Sequence, residues 1–265
     1  PHRGLYKSTD GGKHWQKILY IDERTGCADL AIDPRNPQVL FATTWTFRRT
    51  AHSFHSGGAG SAIYKSEDGG AHWRKLSNGL PSGEFGRVAL ALAPSRPEHL
   101  LAIVESENTG LYISQDGGEH WKFQSTTLNV VSRPFYFSTL VVDPFDERRV
   151  YRPALQFSYS SDGGFSWSDA SYDGGWVHSD HHALWINPRN TDQLYLGTDG
   201  GVYISSDRGV SWIFCANLPV GQFYRVAVDR RDPFKIYGGL QDNGSWVGPS
   251  AGPGGVGNGD WKLLF

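Results

Sequence analysis

Methionine is absent from this 265-residue chain and cysteine occurs only twice. Cys27 and Cys215 are too few for a disulfide framework and have no C-x-x-C spacing for metal or redox work. No apolar run approaches the roughly 18 residues expected of a membrane-spanning helix. The opening PHRGLYKS has no secretory apolar region, as expected of a mature or trimmed chain. Charge of one sign is also missing: 25 Lys and Arg lie among 27 Asp and Glu, giving a net −2. Without a basic stripe to neutralise phosphates, nucleic acid is not an expected partner. What the chain has in quantity is glycine, 33 residues, and aromatics, 14%. That composition favours strands and tight turns, and the expected class is all-β.

Self-similarity organises the rest. STDGGKHW (8–15), SEDGGAHW (66–73), SQDGGEHW (114–121), SSDGGFSW (160–167) and SSDRGVSW (205–212) all fit S-x-D-x-G-x-x-W, with starts 58, 48, 46 and 45 residues apart. A second element recurs out of phase: LAIDPRNP (30–37), LALAPSRP (90–97), LVVDPFDE (140–147), LWINPRNT (184–191) and VAVDRRDP (226–233). Each unit reads strand, Pro/Asn turn, strand, loop, strand, Asp-containing turn, strand, in the order A, B, C, D. Four antiparallel strands at this period make a propeller blade.

The expected organisation is a single β-propeller domain or propeller segment over 1–265. It comprises a partial blade (1–20), blades at about 27–76, 86–124, 138–168 and 181–214, and a final partial or irregular blade (223–265). Either the last A and B strands join the first C and D strands in a five-bladed ring, or the chain is a piece of a larger propeller. The second reading is preferred, because QDNGSWVGPSAGPGGVGNGDWKLLF can supply its own C and D strands, with Trp261 starting D.

Five copies argue for a structural box. In each C to D turn the Asp carboxylate can accept turn N–H groups, the Gly permits positive φ, the Ser hydroxyl closes the turn and the Trp packs between sheets. The residues concerned are Ser8, Asp10, Gly12 and Trp15; Ser66, Asp68, Gly70 and Trp73; Ser114, Asp116, Gly118 and Trp121; Ser160, Asp162, Gly164 and Trp167; and Ser205, Asp207, Gly209 and Trp212. One carboxylate and one hydroxyl fall short of the roughly 6 to 8 oxygens that calcium takes.

Strand order then places the binding face. If the boxes occupy one face, the D to A and B to C segments share the other, and binding residues belong there. The B to C segment 44–61 is about a dozen residues longer than its equivalents and offers Trp45, Phe47, Arg48, Arg49, His52, Phe54 and His55 as a candidate lid. The segment 171–188 contributes Trp176, His178, Asp180, His181 and His182, with alternation putting His181 opposite His178, Asp180 and His182. His178, Asp180 and His182 are weak candidates for a metal set, set against a hydrogen-bonded Asp–His network, and no cofactor is expected. Arg133, Phe135, Tyr136, Asp199, Gln222, Tyr224, Arg225, Gln241, Asp242 and Asn243 complete the face. Asp180 with Asp199 or Asp242 would offer the carboxylate pair that glycosidic hydrolysis needs; turn capping is the competing role for the latter two.

The boxes resemble the Asp-box, or BNR, repeats of sialidases, family 74 glycoside hydrolases, the photosystem II assembly factor propeller and the sortilin N-terminal propeller. RPFYFSTLVVDP, HSDHHALWINPRN, LGTDGGVYISSDRGVSW and LPVGQFYRVAVDRRDP resemble large bacterial proteins labelled sortilin-like or glycosyl hydrolase. The resemblance implies an extracytoplasmic setting (secreted, periplasmic or cell surface). It does not imply sialidase activity, since FRRT (47–50) departs from the Phe-Arg-Ile-Pro motif and follows the first box. The expected function is a noncatalytic binding propeller recognising a peptide, protein or glycan, with the remainder of a larger propeller as a further possible partner. The alternative is a secreted glycoside hydrolase.

Overall fold

The computed structural model describes residues 2–169, 177–218 and 220–264. It is a partial β-propeller. A two-stranded first sheet, β1 (Leu5–Lys7) and β2 (Gln16–Leu19), precedes five larger sheets. The second comprises β3 (Thr25–Ile32), β4 (Leu40–Arg49), β6 (Ala62–Ser66) and β7 (Arg74–Leu76), with β5 (Phe54–Ser56) paired onto the far end of β4. The third runs β8 (Val88–Ala93), β9 (Arg96–Val104), β10 (Gly110–Ser114) and β11 (Lys122–Ser125).

After a single helical turn, α1 (Leu128–Val131), the fourth sheet holds β12 (Val141–Val142), β13 (Val150–Pro153), β14 (Phe157–Ser160) and β15 (Ser168–Asp169). The fifth holds β16 (His181–Ile186), β17 (Leu194–Thr198), β18 (Gly201–Ser205) and β19 (Ile213–Phe214). The sixth holds β20 (Phe223–Val228), β21 (Lys235–Leu240), β22 (Ser245–Pro249) and β23 (Lys262–Leu263). In the last five sheets the main strands lie in chain order and pair antiparallel, the pattern of hairpin-connected propeller blades. Trp261 leads into β23, and the Gly-rich stretch 250–260 connects it to β22.

The core lies between sheets. Phe41, Ile63 and Leu76 of the second sheet pack on Val88, Leu100 and Tyr112 of the third. Leu101, Ile103 and Leu111 of the third meet Val142 and Val150 of the fourth. Tyr151 and Phe157 of the fourth meet Ile186, Leu194 and Leu196 of the fifth. Each such side chain contributes about 1.5–3 kcal/mol by leaving water. In contrast, β20 is exposed at every residue.

The five boxes occupy the turns β1–β2, β6–β7, β10–β11, β14–β15 and β18–β19. In each, the Ser Oγ donates to the Asp Oδ1 and accepts the N–H of the second Gly position. The Asp Oδ1 accepts the N–H four residues on, and the Trp Nε1 donates to that Gly's carbonyl. All twenty bonds span 2.8–3.1 Å.

The second glycine has a further reason to be there. A Cβ on Gly70, Gly118, Gly164 or Gly209 would come within 2.8 Å of Ile18, Leu76, Leu111 or Phe157, always a residue of the preceding sheet. The box is therefore also the point where a blade presses on its predecessor. Its Trp does the same: Trp121 packs with Phe41, Ile63 and Leu76, and Trp212 stands edge-on to Phe157 at 5.0 Å. Trp15 departs from the expected packing between sheets and is 62% exposed, because the first sheet has no described predecessor.

The second repeated element is the A to B turn. Asp33, Asp143, Asn187 and Asp229 each accept the N–H two residues on through Oδ1, at 2.8–3.2 Å, the Asx arrangement that a short polar side chain offers a turn.

Candidate functional site

Two recesses hold part of the set of residues singled out on the face away from the boxes. The first, about 640 Å³, lies between the far end of the second sheet and segment 133–136, which connects the third sheet to the fourth. Segment 44–61, expected as a loop, is instead an extension of the sheet: β4 continues to Arg49 and β5 pairs back on it, Arg49 opposite Phe54 and Phe47 opposite Ser56. Strand alternation turns Phe47 and Arg49 into the recess and leaves Arg48 and its partner His55 off its wall. Aromatic rings build the floor: Trp45 to Phe47 at 4.2 Å, Phe47 to Phe54 at 5.6 Å, Phe54 to Phe135 at 4.8 Å.

Arg133, at φ +44, stacks over Tyr136 at 5.1 Å. Arg87, ahead of β8, lies 5.2 Å from the Trp45 ring and donates to the carbonyls of Phe135 and Tyr136 at 3.3 Å. Burial pushes the Arg87 pKa down, against the pull of Asp29 and Glu105. Sequence reasoning missed Arg87, although it precedes an inner strand, a position that the D to A rule marks.

Segment 133–137 is held from beneath by Arg152. This arginine is fully buried and donates to the carbonyls of Phe137 at 2.8 Å, Val130 at 3.2 Å and Ser132 at 3.3 Å. Burial alone lowers its pKa to about 10.

The second recess, about 770 Å³, opens between the fifth and sixth sheets. His178, Asp199, Gln222, Gln241 and Asn243 line it together with Phe214 and Trp246. The His178 ring nitrogens lie 2.9 Å from the Ser179 carbonyl and 2.8 Å from the Asp242 carbonyl, the second contact crossing between sheets. The Asn243 side-chain amide donates to the carbonyls of Asp199 and Gln241, at 2.8 and 2.7 Å, and the Asn243 backbone carbonyl accepts the Trp246 indole N–H at 2.7 Å. Phe214 and Trp246 gave no signal beyond being strand aromatics.

A line of contacts joins the recesses. Tyr136, from the first, stands edge-on to His182 at 5.5 Å, and His182 Nε2 is 3.1 Å from the carboxylate of Asp199, in the second. His182 reaches outward because a bulge in β16 shifts the register between His181 and Ala183.

The remaining candidates are placed otherwise. Asp180 and Asp242 take positive φ, +62 and +56, and neither lines a recess. Ser179 Oγ donates to the Asp180 carboxylate at 3.1 Å. His181 is buried, with Nε2 2.8 Å from the His178 carbonyl, and burial lowers its pKa to about 4. It supports the site from below and has no surface to offer a ligand. Tyr224 and Arg225 are exposed on β20 outside both recesses. Trp176 lies outside the described residues. His178, Asp180 and His182 do not converge, and among the described residues no three His, Cys, Asp or Glu side chains are grouped to hold a metal ion. Cys27 and Cys215 are free thiols, the former pushed up to about 11 by burial. No described helix is long and apolar enough to cross a membrane.

A propeller whose blades are fastened by Asp-boxes and whose opposite face carries aromatic and amide-lined recesses defines the class. The chain belongs to the family described as "Sortilin, neurotensin receptor 3", whose model matches residues 3–148, more than half of its length. No curated protein matches it in sequence.

Among solved structures it is similar to an ancestral GH74 enzyme, at 16% identity and TM-score 0.51, over 90% of this chain and 31% of that one. It is similar to the gluconolactonase of Xanthomonas campestris at 12% identity and TM-score 0.51, over 76% of this chain and 64% of that one. The GH74 xyloglucanase from Xanthomonas campestris aligns at 16% identity and TM-score 0.49, over 99% of this chain and 46% of that one. At these identities the likeness is one of fold. The chain spans half or less of the length of the GH74 chains it matches.

Proposed function

We propose that this chain is a noncatalytic binding propeller of the sortilin-like class, taking a peptide, protein or glycan on the face opposite its Asp-boxes in an extracytoplasmic setting. One observation carries the choice over hydrolysis: of Asp180, Asp199 and Asp242, only Asp199 lines a recess, and its carboxylate is engaged by His182. Glycosidic cleavage needs two carboxylates flanking one bond, about 5 Å apart for retention or about 6.5–9.5 Å for inversion. Aromatic faces, guanidinium groups and primary amides suit recognition without chemistry.

A panel of polysaccharides and peptides assayed in parallel for binding and for release of reducing ends tests the reading. Binding that weakens in Asn243→Ala and Arg133→Ala without product is expected. Reducing ends released by the wild type and abolished in Asp199→Asn would overturn it.

A further inference from the structure

The first recess has an unbalanced charge. Arg49, Arg87, Arg133 and His52 line it, and no carboxylate does. Arg87 is answered electrostatically from behind by Asp29 and Glu105. Arg49 and Arg133 are not: both are exposed, and among the described residues neither guanidinium makes an ion pair or hydrogen bond. A protein that leaves two arginines unpaired in the lining of one recess presents an anion site, and guanidinium geometry matches a carboxylate in bidentate fashion.

The cations are also set on rings. Arg133 stacks on Tyr136 and Arg87 on Trp45, while Arg49 lies across the strand pair from Phe54. An anion reaching these guanidinium groups must lay the body that carries it against an aromatic face. An aspartyl or glutamyl side chain offers only one or two methylenes for that contact. A sugar acid has its carboxylate attached directly to a ring with an apolar face, so one residue fills both needs.

A line of side-chain contacts through Tyr136, His182 and Asp199 ties it to the second recess, where Gln222 and Gln241 place amides, and Asn243 its side-chain oxygen, suited to hydroxyl groups.

We infer that the ligand is an acidic polysaccharide of the uronate type, its carboxylates held by Arg49 and Arg133 and its neighbouring sugars extended toward Asn243. This rests on the binding reading above and narrows it.

Oligogalacturonate, its methyl-esterified neutral form and poly-glutamate are the probes, titrated calorimetrically into the 265-residue chain at two salt concentrations. The acidic oligosaccharide binds, tightest at low salt, and Arg133→Ala and Arg49→Ala each weaken it about tenfold or more, with their melting temperatures near that of the wild type because both groups are exposed. Arg48→Ala, off the recess wall, leaves affinity unchanged. Equal binding of the esterified form, equal or tighter binding of poly-glutamate, no binding of oligogalacturonate at millimolar concentration, or indifference to both arginine variants would each overturn the inference. If a neutral glycan or a peptide binds instead and Asn243→Ala weakens it, only the uronate assignment falls. If no variant on this face affects any bound ligand, the binding reading falls with it.

Discussion

The imidazole of His182 and the carboxylate of Asp199 meet at 3.1 Å across the first hairpin of the fifth sheet, with the Tyr136 ring, from the segment leading into the fourth sheet, edge-on to the same imidazole. This contact joins the two recesses. Both side chains keep substantial solvent access, 39% and 26%, so the pair contributes little to folding. His182→Ala should cost no more than about 1 kcal/mol of stability, yet it removes the ring on which Tyr136 leans. The expected result is an unfolding midpoint close to wild type with ligand affinity reduced at least severalfold, measured by urea titration and calorimetry on one preparation. A large loss of stability with unchanged affinity would assign the pair a purely structural role.

Arg152 makes the opposite prediction. It is inaccessible to ligand, and its partners are three carbonyls in the segment that carries Arg133, Phe135 and Tyr136. Arg152→Met fills much of the volume but strands those carbonyls, at about 1–3 kcal/mol for each one left unpaired. The variant should lose about 3 kcal/mol or more and lose protection of the amides in 128–137 toward hydrogen exchange. Arg152→Lys should recover only part, since one ammonium lacks the planar fork that spans all three oxygens. Exchange protection in 128–137 that is unchanged in both variants would show the segment to be held by other contacts.

His181 contributes to the acid limb of stability. Its pKa is lowered to about 4 by desolvation, from 6.5, so the folded state holds it neutral while the unfolded chain takes up a proton. Stability from this group is complete above about pH 6.5 and is lost as pH falls toward 4, by about 3 kcal/mol at most. The Asp-box carboxylates act in a lower window. Asp68 and Asp116 are depressed chiefly by backbone N–H donors, and their contribution, present above about pH 4, fades only below it. Unfolding free energy against pH should therefore fall between 6.5 and 4 in the wild type and fall less steeply in His181→Gln, the slope that remains coming from His99, whose pKa burial also lowers. A slope unchanged in that variant would show that His181 does not contribute.

The repeats made the blades legible because each fastener uses a fixed spacing: Ser, Asp, Gly and Trp in the turn between the last two strands, and Asp or Asn between the first two in every larger sheet but the third, where Ala93 stands. From strand order alone, Tyr136, Asp199, Gln241 and Asn243 could be directed to the face where the recesses open. Side-chain direction was less accessible. Arg48 and Arg49 look equivalent in the sequence, and only the pairing of β4 with β5 separates the one that lines the recess from the one that does not. Phe214 and Trp246 line their recess through packing between neighbouring sheets, which no local pattern encodes, whereas Arg87 stands at a D to A position that the strand order marks. The bulge that brings His182 outward is a register property of β16 and β17 together.

Within a box, two adjacent glycines should tolerate substitution differently. Gly163 and Gly164 both take positive φ, +77 and +85, a region that costs an L-residue about 1–2 kcal/mol. Their surroundings differ. A Cβ on Gly163 meets nothing within 4 Å, whereas one on Gly164 would stand 2.3 Å from Cδ2 of Leu111 in the preceding sheet. Relief requires Leu111 to move within a cluster that also contains Ile103 and Val142, and overpacking of that kind adds about 1–3 kcal/mol. Gly163→Ala should therefore destabilise by about 1 kcal/mol and Gly164→Ala by about 3, measured by urea unfolding. The double variant Gly164→Ala with Leu111→Ala separates the two causes. If the clash dominates, the cost of Gly164→Ala shrinks in the Leu111→Ala background; if backbone strain is the whole of it, the cost stays the same and the glycine answers only to its own turn.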